Sequence, residues 1–159
     1  MENTMRGLLN GDYHGEVIKN TVWVFGDQLN RQIGALRDAK PDTHRILMVE
    51  SHLKLTSRRW HIQRAHFIIA SMRRFAGELR EAGFEVDYRF AESMQQGVQL
   101  HTAEFKPKKI MVTEPNSFAA RTLVSKLGIE SVRSNQFLCH PDVFSEFQKG
   151  RKSLKMEDF

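Results

Sequence analysis

The chain has 159 residues, of which 40% are hydrophobic and 27% charged. That balance belongs to one soluble globular domain and excludes both a disordered chain and a membrane-embedded one. Its 24 Lys and Arg against 19 Asp and Glu leave a net charge of +5, which permits attraction to phosphates without requiring it.

Met1 to Lys19 lacks the apolar core of a secretory signal, and residues 1–20 are read as a flexible arm. The longest apolar run, Phe67-Ile68-Ile69-Ala70, falls far short of the ~20 residues of a membrane span. A cytoplasmic protein with no membrane partner is therefore expected. Val22-Trp23-Val24-Phe25 is the first strand-like run, closed by Gly26-Asp27, and Arg45 to Val49 is the second, ended by Glu50-Ser51. The strongest helix spans about Arg59 to Ala82. Ala65, Ile68, Met72, Phe75, Ala76 and Leu79 form its apolar stripe, and Gly83 stands where it ends.

Glu85 to Phe90 alternates polar and apolar residues, as a half-exposed edge strand does. A helix over Met94 to Phe105 leads to a buried-type strand, Lys109 to Val112, cut off at Glu114-Pro115. Ser117 caps a further helix, Phe118 to Leu127, Gly128 follows it, and Ser131 to Arg133 is a weak fifth strand. Strands separated by helical crossovers predict an α/β fold. The expected form is a doubly wound parallel five-stranded sheet with helices on both faces, Rossmann- or flavodoxin-like.

In such a sheet, ligands collect at the carboxyl ends of the strands, where strand order reverses. Gly26-Asp27-Gln28-Leu29-Asn30, Glu50-Ser51-His52 and Glu114-Pro115-Asn116-Ser117 occupy those ends. Gly26 lets a ring or phosphate approach the backbone closely; Asp27 is an acceptor, and Gln28 both donor and acceptor. Equally, Asp27 and Gln28 suit a turn or a helix cap. The chain has neither G-x-G-x-x-G nor G-x-x-x-x-G-K-[ST], so the usual phosphate cradles are missing. His61 and His66 lie on different helix faces, which argues against a shared metal. Cys139 is the single cysteine, which excludes an internal disulfide, a four-cysteine zinc site and an iron–sulfur cluster. Beside His140 it has the elements of a nucleophile, but no strand-to-helix elbow precedes it, and a structural cysteine is the plainer reading. Trp60, after Arg58 and Arg59, suits either stacking on a base or packing the helix start on the sheet.

Thr21-Val22-Trp23-Val24-Phe25-Gly26-Asp27-Gln28-Leu29-Asn30 resembles the opening strand and loop of the bacterial photolyase-related proteins, also called iron–sulfur bacterial cryptochromes and photolyases. Val49-Glu50-Ser51, Arg59-Trp60-His61-Ile62-Gln63-Arg64, Ala70 to Ala76, Thr113-Glu114-Pro115, Asn135 to Cys139 and Gly150 to Phe159 follow in the same order. The resemblance covers about residues 21–159. It implies that residues 21–134 are an α/β antenna domain and residues 135–159 a linker. A helical domain beyond the chain would carry FAD, a four-cysteine iron–sulfur cluster and the DNA lesion, so no catalytic residue is assigned here. It also implies a pocket for 6,7-dimethyl-8-ribityllumazine, formed by Phe25, Gly26, Asp27, Gln28, Leu29, Glu50, Lys54 and Ile68. Lys54 and Ser57 stand where some lumazine-binding members have an acidic residue and a Tyr, which leaves a flavin, a deazaflavin or an empty pocket as alternatives.

Two rival readings use other residues. A nucleic-acid-docking module would work through Arg58, Arg59, Arg64, Arg73 and Arg74. A non-binding remnant would show an apolar patch at Phe137, Leu138, Val143, Phe144 and Phe147, where the helical domain packs.

Overall fold

The structure is a computed structural model and describes residues 19–57, 59–151, 153 and 155. Most of the expected N-terminal arm lies outside the described residues, but Lys19 and Asn20 already belong to the fold. Five strands form one parallel sheet: β1 (Asn20–Trp23), β2 (His44–Ser51), β3 (Glu85–Ala91), β4 (Ile110–Thr113) and β5 (Glu130–Val132). Their order is β3-β2-β1-β4-β5, so strand order reverses beside β1. Thr21 pairs in register with Arg45 on one side and Ile110 on the other. The half-exposed strand expected over Glu85–Phe90 is indeed an edge strand.

Alternation of side chains along β1 and β2 sends successive residues to opposite faces and builds two cores. On one face, Val22, Val24, Ile46 and Met48 pack against α1 (Gly34–Arg37) and α3 (Ile62–Glu81), chiefly through Leu36, Met72, Phe75 and Leu79. On the other, Trp23, Leu47 and Val49 meet α4 (Met94–Phe105) and α5 (Phe118–Lys126) through Val98 and Val124. This is the doubly wound sandwich that the alternating pattern predicts.

Local chemistry sets the ends of the helices. Ser117 Oγ accepts the Ala120 N–H at 3.3 Å, and Gly128 leaves α5 with φ +63°. The long helix starts at Ile62 rather than Arg59. His61 stays extended and takes the Gln63 N–H on its ring nitrogen at 3.3 Å, which caps the helix three residues later than its apolar stripe suggests. Three short helices have no clear periodic signal: α1, α2 (His52–Thr56) and α6 (Pro141–Gln148). The last lies within the segment expected as a linker.

A buried chain of hydrogen bonds ties the second core together. His101, fully buried on α4, places Nε2 2.8 Å from Thr21 Oγ1 and Nδ1 2.6 Å from Asp87 Oδ2. The order hydroxyl–imidazole–carboxylate repeats that of a nucleophilic triad. Thr21 is only 1% exposed, so no substrate reaches it, and the network joins β1, β3 and α4 instead. Burial opposes ionisation of Asp87, but the hydrogen bonds from His101 and Arg89 outweigh it and hold the carboxyl below its ordinary pKa.

Candidate functional site

The loops after β1 and β4 face each other across the point where strand order reverses. Gln28 bridges them. Its side chain is 2% exposed and its Nε2 donates to the carbonyls of Thr113 and Glu114, both at 3.1 Å. Those two bonds require the amide nitrogen to face β4, which turns Oε1 away. That oxygen is buried and has no donor among the described residues, an acceptor left open where buried polar groups are ordinarily paired. Asp27 is exposed, and its carboxylate has one long contact, 3.4 Å from Asn116 Nδ2.

On the α3 side the packing is close. A Cβ on Gly26 would lie 2.9 Å from Met72 Sδ and 3.4 Å from Ile68 Cγ2. Glu50, buried at the end of β2, accepts two hydrogen bonds from the Arg73 guanidinium, at 2.8 and 3.0 Å, and a third from the Tyr88 hydroxyl. Burial, reinforced by that bond to Glu50, pushes the Tyr88 phenol far above its ordinary pKa, so Tyr88 remains a donor. The Arg73 guanidinium also lies 5.4 Å from the ring centre of Phe90, which is largely exposed. Phe25 packs in the core on the opposite face, its ring 4.5 Å from that of Trp23. Leu29 is half-buried against the α3-side core. Lys54 is exposed on α2, its backbone N–H donating to Ser51 Oγ at 3.2 Å.

The structure thus brings Gly26 and Ile68 together and sets Asp27 and Gln28 against the end of β4. Glu50 is saturated by Arg73 and Tyr88, while Lys54 and Phe25 stand in two further environments.

A cleft of about 340 Å³ that no sequence pattern signals lies on the β4–β5 side, lined by Glu114, Asn116, Arg121, Phe137, Cys139 and His140 among others. Glu114 Oε2 lies 2.7 Å from His140 Nε2, and Arg121 is 3.7 Å from the same carboxylate. Burial works against the Glu114 charge, yet the bond to His140 and the nearby guanidinium take its pKa below the ordinary value. Cys139 Sγ donates to the His140 carbonyl at 3.4 Å. The imidazole is engaged by Glu114 and by the Asp142 N–H, so it does not serve as base to the thiol. A Glu–His pair 26 positions apart leaves no local signal; only the placement of Glu114 after a strand hinted at it.

The strand order and the helices on both faces define a doubly wound, Rossmann- or flavodoxin-like domain. The family profile of deoxyribodipyrimidine photo-lyase-related protein matches residues 22–159, and the chain belongs to that family. It is also similar to a protein from Agrobacterium fabrum described as a (6-4) photolyase, 34% identical over 152 residues. That match covers 87% of this chain and 30% of the relative, so the chain spans about a third of the relative's length. No helix among the described residues is long and apolar enough to cross a membrane.

Proposed function

We propose that this chain is the antenna-chromophore domain of a photolyase-related protein, holding a flavin-like ring beside the loop after β1, with 6,7-dimethyl-8-ribityllumazine as the leading ligand. The bound chromophore supplies absorption of near-ultraviolet or blue light and transfer of the excitation to an FAD. On this reading that FAD, the iron–sulfur cluster and the DNA belong to a separate helical domain.

The observation that carries the reading is the open acceptor of Gln28. Its Oε1 is buried, held in orientation by two bonds from the same amide, and lacks the donor that a ring N–H or ribityl hydroxyl provides. Asp27 offers a second acceptor at the mouth. Met72 is the side chain that a ring entering beside Gly26 displaces, and its flexible thioether makes that displacement easy. Ile68 then covers the ring from α3. Residues of this chain bind and orient; none makes or breaks a bond.

A ligand of about 23 heavy atoms at ~0.3 kcal/mol each gains about 7 kcal/mol, a Kd on the order of 10 µM. Titrating the protein with lumazine and with flavin mononucleotide well beyond that concentration should shift or quench the ligand's spectrum. Asp27→Ala, an exposed change, should weaken binding several-fold. Gln28→Ala should weaken it more, with a circular-dichroism melt confirming that the variant is folded. Ligand spectra unchanged at saturating concentrations would overturn the antenna assignment.

A further inference from the structure

The outer side of α3 and the α2–α3 junction take no part in the antenna site. Between Ser51 and Gly77 the chain has no Asp or Glu, while Lys54, Arg58, Arg59, Arg64, Arg73 and Arg74 are all cationic. Part of that charge is balanced: Arg73 pairs with Glu50 at 2.8 Å and Arg74 with Glu78 at 3.0 Å. Arg58 lies outside the described residues. Lys54, Arg59 and Arg64 are exposed and have no carboxylate partner among the described residues; Arg64 sits 4.8 Å from the centre of the Trp60 ring.

Next to these cations, an open groove of about 620 Å³ runs along α3 past Ile62, His66, Phe67, Ala70, Ser71 and Arg74. Ile62 is 79% and Phe67 71% exposed. Ala70 and Ser71 are small, so between Phe67 and Arg74 a flat ring can lie against the helix with the phenyl group beside it.

We propose that this face binds a single strand of nucleic acid, with Lys54, Arg59 and Arg64 on its phosphates and a base in the slot beside Phe67. Unpaired cations flanking an exposed aromatic are the two parts of a single-strand site: charge tracks the backbone and the ring stacks on a base. A duplex keeps its bases stacked inside and offers nothing to Phe67. An acidic protein or an anionic bilayer would meet the same charges, and both enter the test as competitors.

The test is fluorescence anisotropy of the full chain with a labelled thymidine oligonucleotide of about 20 nucleotides, between about 50 and about 300 mM salt. Contacts of Lys54, Arg59 and Arg64 with three phosphates predict a slope of log K against log salt near −2, at ~0.7 per contact. Arg59→Gln with Arg64→Gln should cut that slope by about 1.4. Phe67→Ala should leave the slope unchanged and weaken binding by about fivefold or more. The proposal is overturned by no binding at the lowest salt, or by a duplex of equal length binding as tightly as the single strand. It is equally overturned if Phe67→Ala has no effect, or if polyglutamate or phosphatidylglycerol vesicles compete as well as unlabelled oligonucleotide. None of these changes touches the loop after β1, so a failure here leaves the lumazine titration intact.

Discussion

The two sides of α3 differ in what an added methyl group would meet. On the inner side, the space beside Gly26 is already occupied by Met72 at 2.9 Å. The rest of the interior is as tight: a Cβ at Gly97 would stand 2.6 Å from Val49, and one at Gly34 would stand 2.3 Å from Thr113. On the outer side, a Cβ at Gly77 meets nothing within 4 Å. Glycine inside lets helix and strand approach; Gly77 has no such reason in this chain, and a glycine in a helix interior costs about 1 kcal/mol relative to alanine. The inner face is thus closely packed around its glycines, with the flexible Met72 thioether beside Gly26 the part able to yield, and the outer face is open at Gly77.

The hardest test of the comparison is Gly34→Ala. Gly34 has φ +46° as well as Thr113 against it, so both backbone strain and overpacking oppose a side chain there. A loss of about 3 kcal/mol is expected by urea unfolding; a loss below about 1 kcal/mol would mean that the interior is looser than its geometry.

The second prediction concerns the network of Thr21, His101 and Asp87. A carboxyl whose pKa is lowered on folding stabilises the fold above its unfolded value, and that stability disappears as the pH falls through the folded value. Wild-type stability should therefore decline below about pH 4, and Asp87→Asn should flatten the decline while costing about 1–3 kcal/mol at neutral pH. Glu114, also lowered, will leave a residual slope.

The smallest effect has the opposite sign. Gly77→Ala should raise stability by about 0.5–1 kcal/mol, seen as a higher unfolding midpoint, because open space receives the methyl group. Destabilisation there would erase the difference between the faces.

Much of this was legible in the residues, and the rest was not for identifiable reasons. The strands around Val22, Ile46 and Ile110 announce themselves because both faces of a parallel sheet are covered and their runs are continuously apolar. The α3 stripe and the glycines after α3 and α5 were equally plain. The first turn of the long helix is not legible because Arg59 and Trp60 are compatible with helix, and a histidine ring is not among the usual N-cap side chains that would mark His61 as the start. Short α1, α2 and α6 span too few residues for a period to show. At the site, Gly26 and Ile68 could be paired from the family resemblance. The role of Gln28 as a clasp on the Thr113 and Glu114 carbonyls depends on β4 lying beside β1, which no local pattern encodes. Similarly, Phe25 shares a loop with Gly26, yet strand alternation sends its side chain to the far core.

The strand order has a consequence for how the chain is made. β1 acquires β2, and β2 then acquires the edge strand β3, as synthesis proceeds, but the other neighbour of β1 begins at Ile110. Until that strand leaves the ribosome, the row of amides and carbonyls along Thr21, Val22 and Trp23 is a bare edge at what will become the middle of the molecule. The central strand is therefore enclosed only after β2 has both of its neighbours, and until β4 arrives a growing chain is open to pairing with a neighbour along that edge.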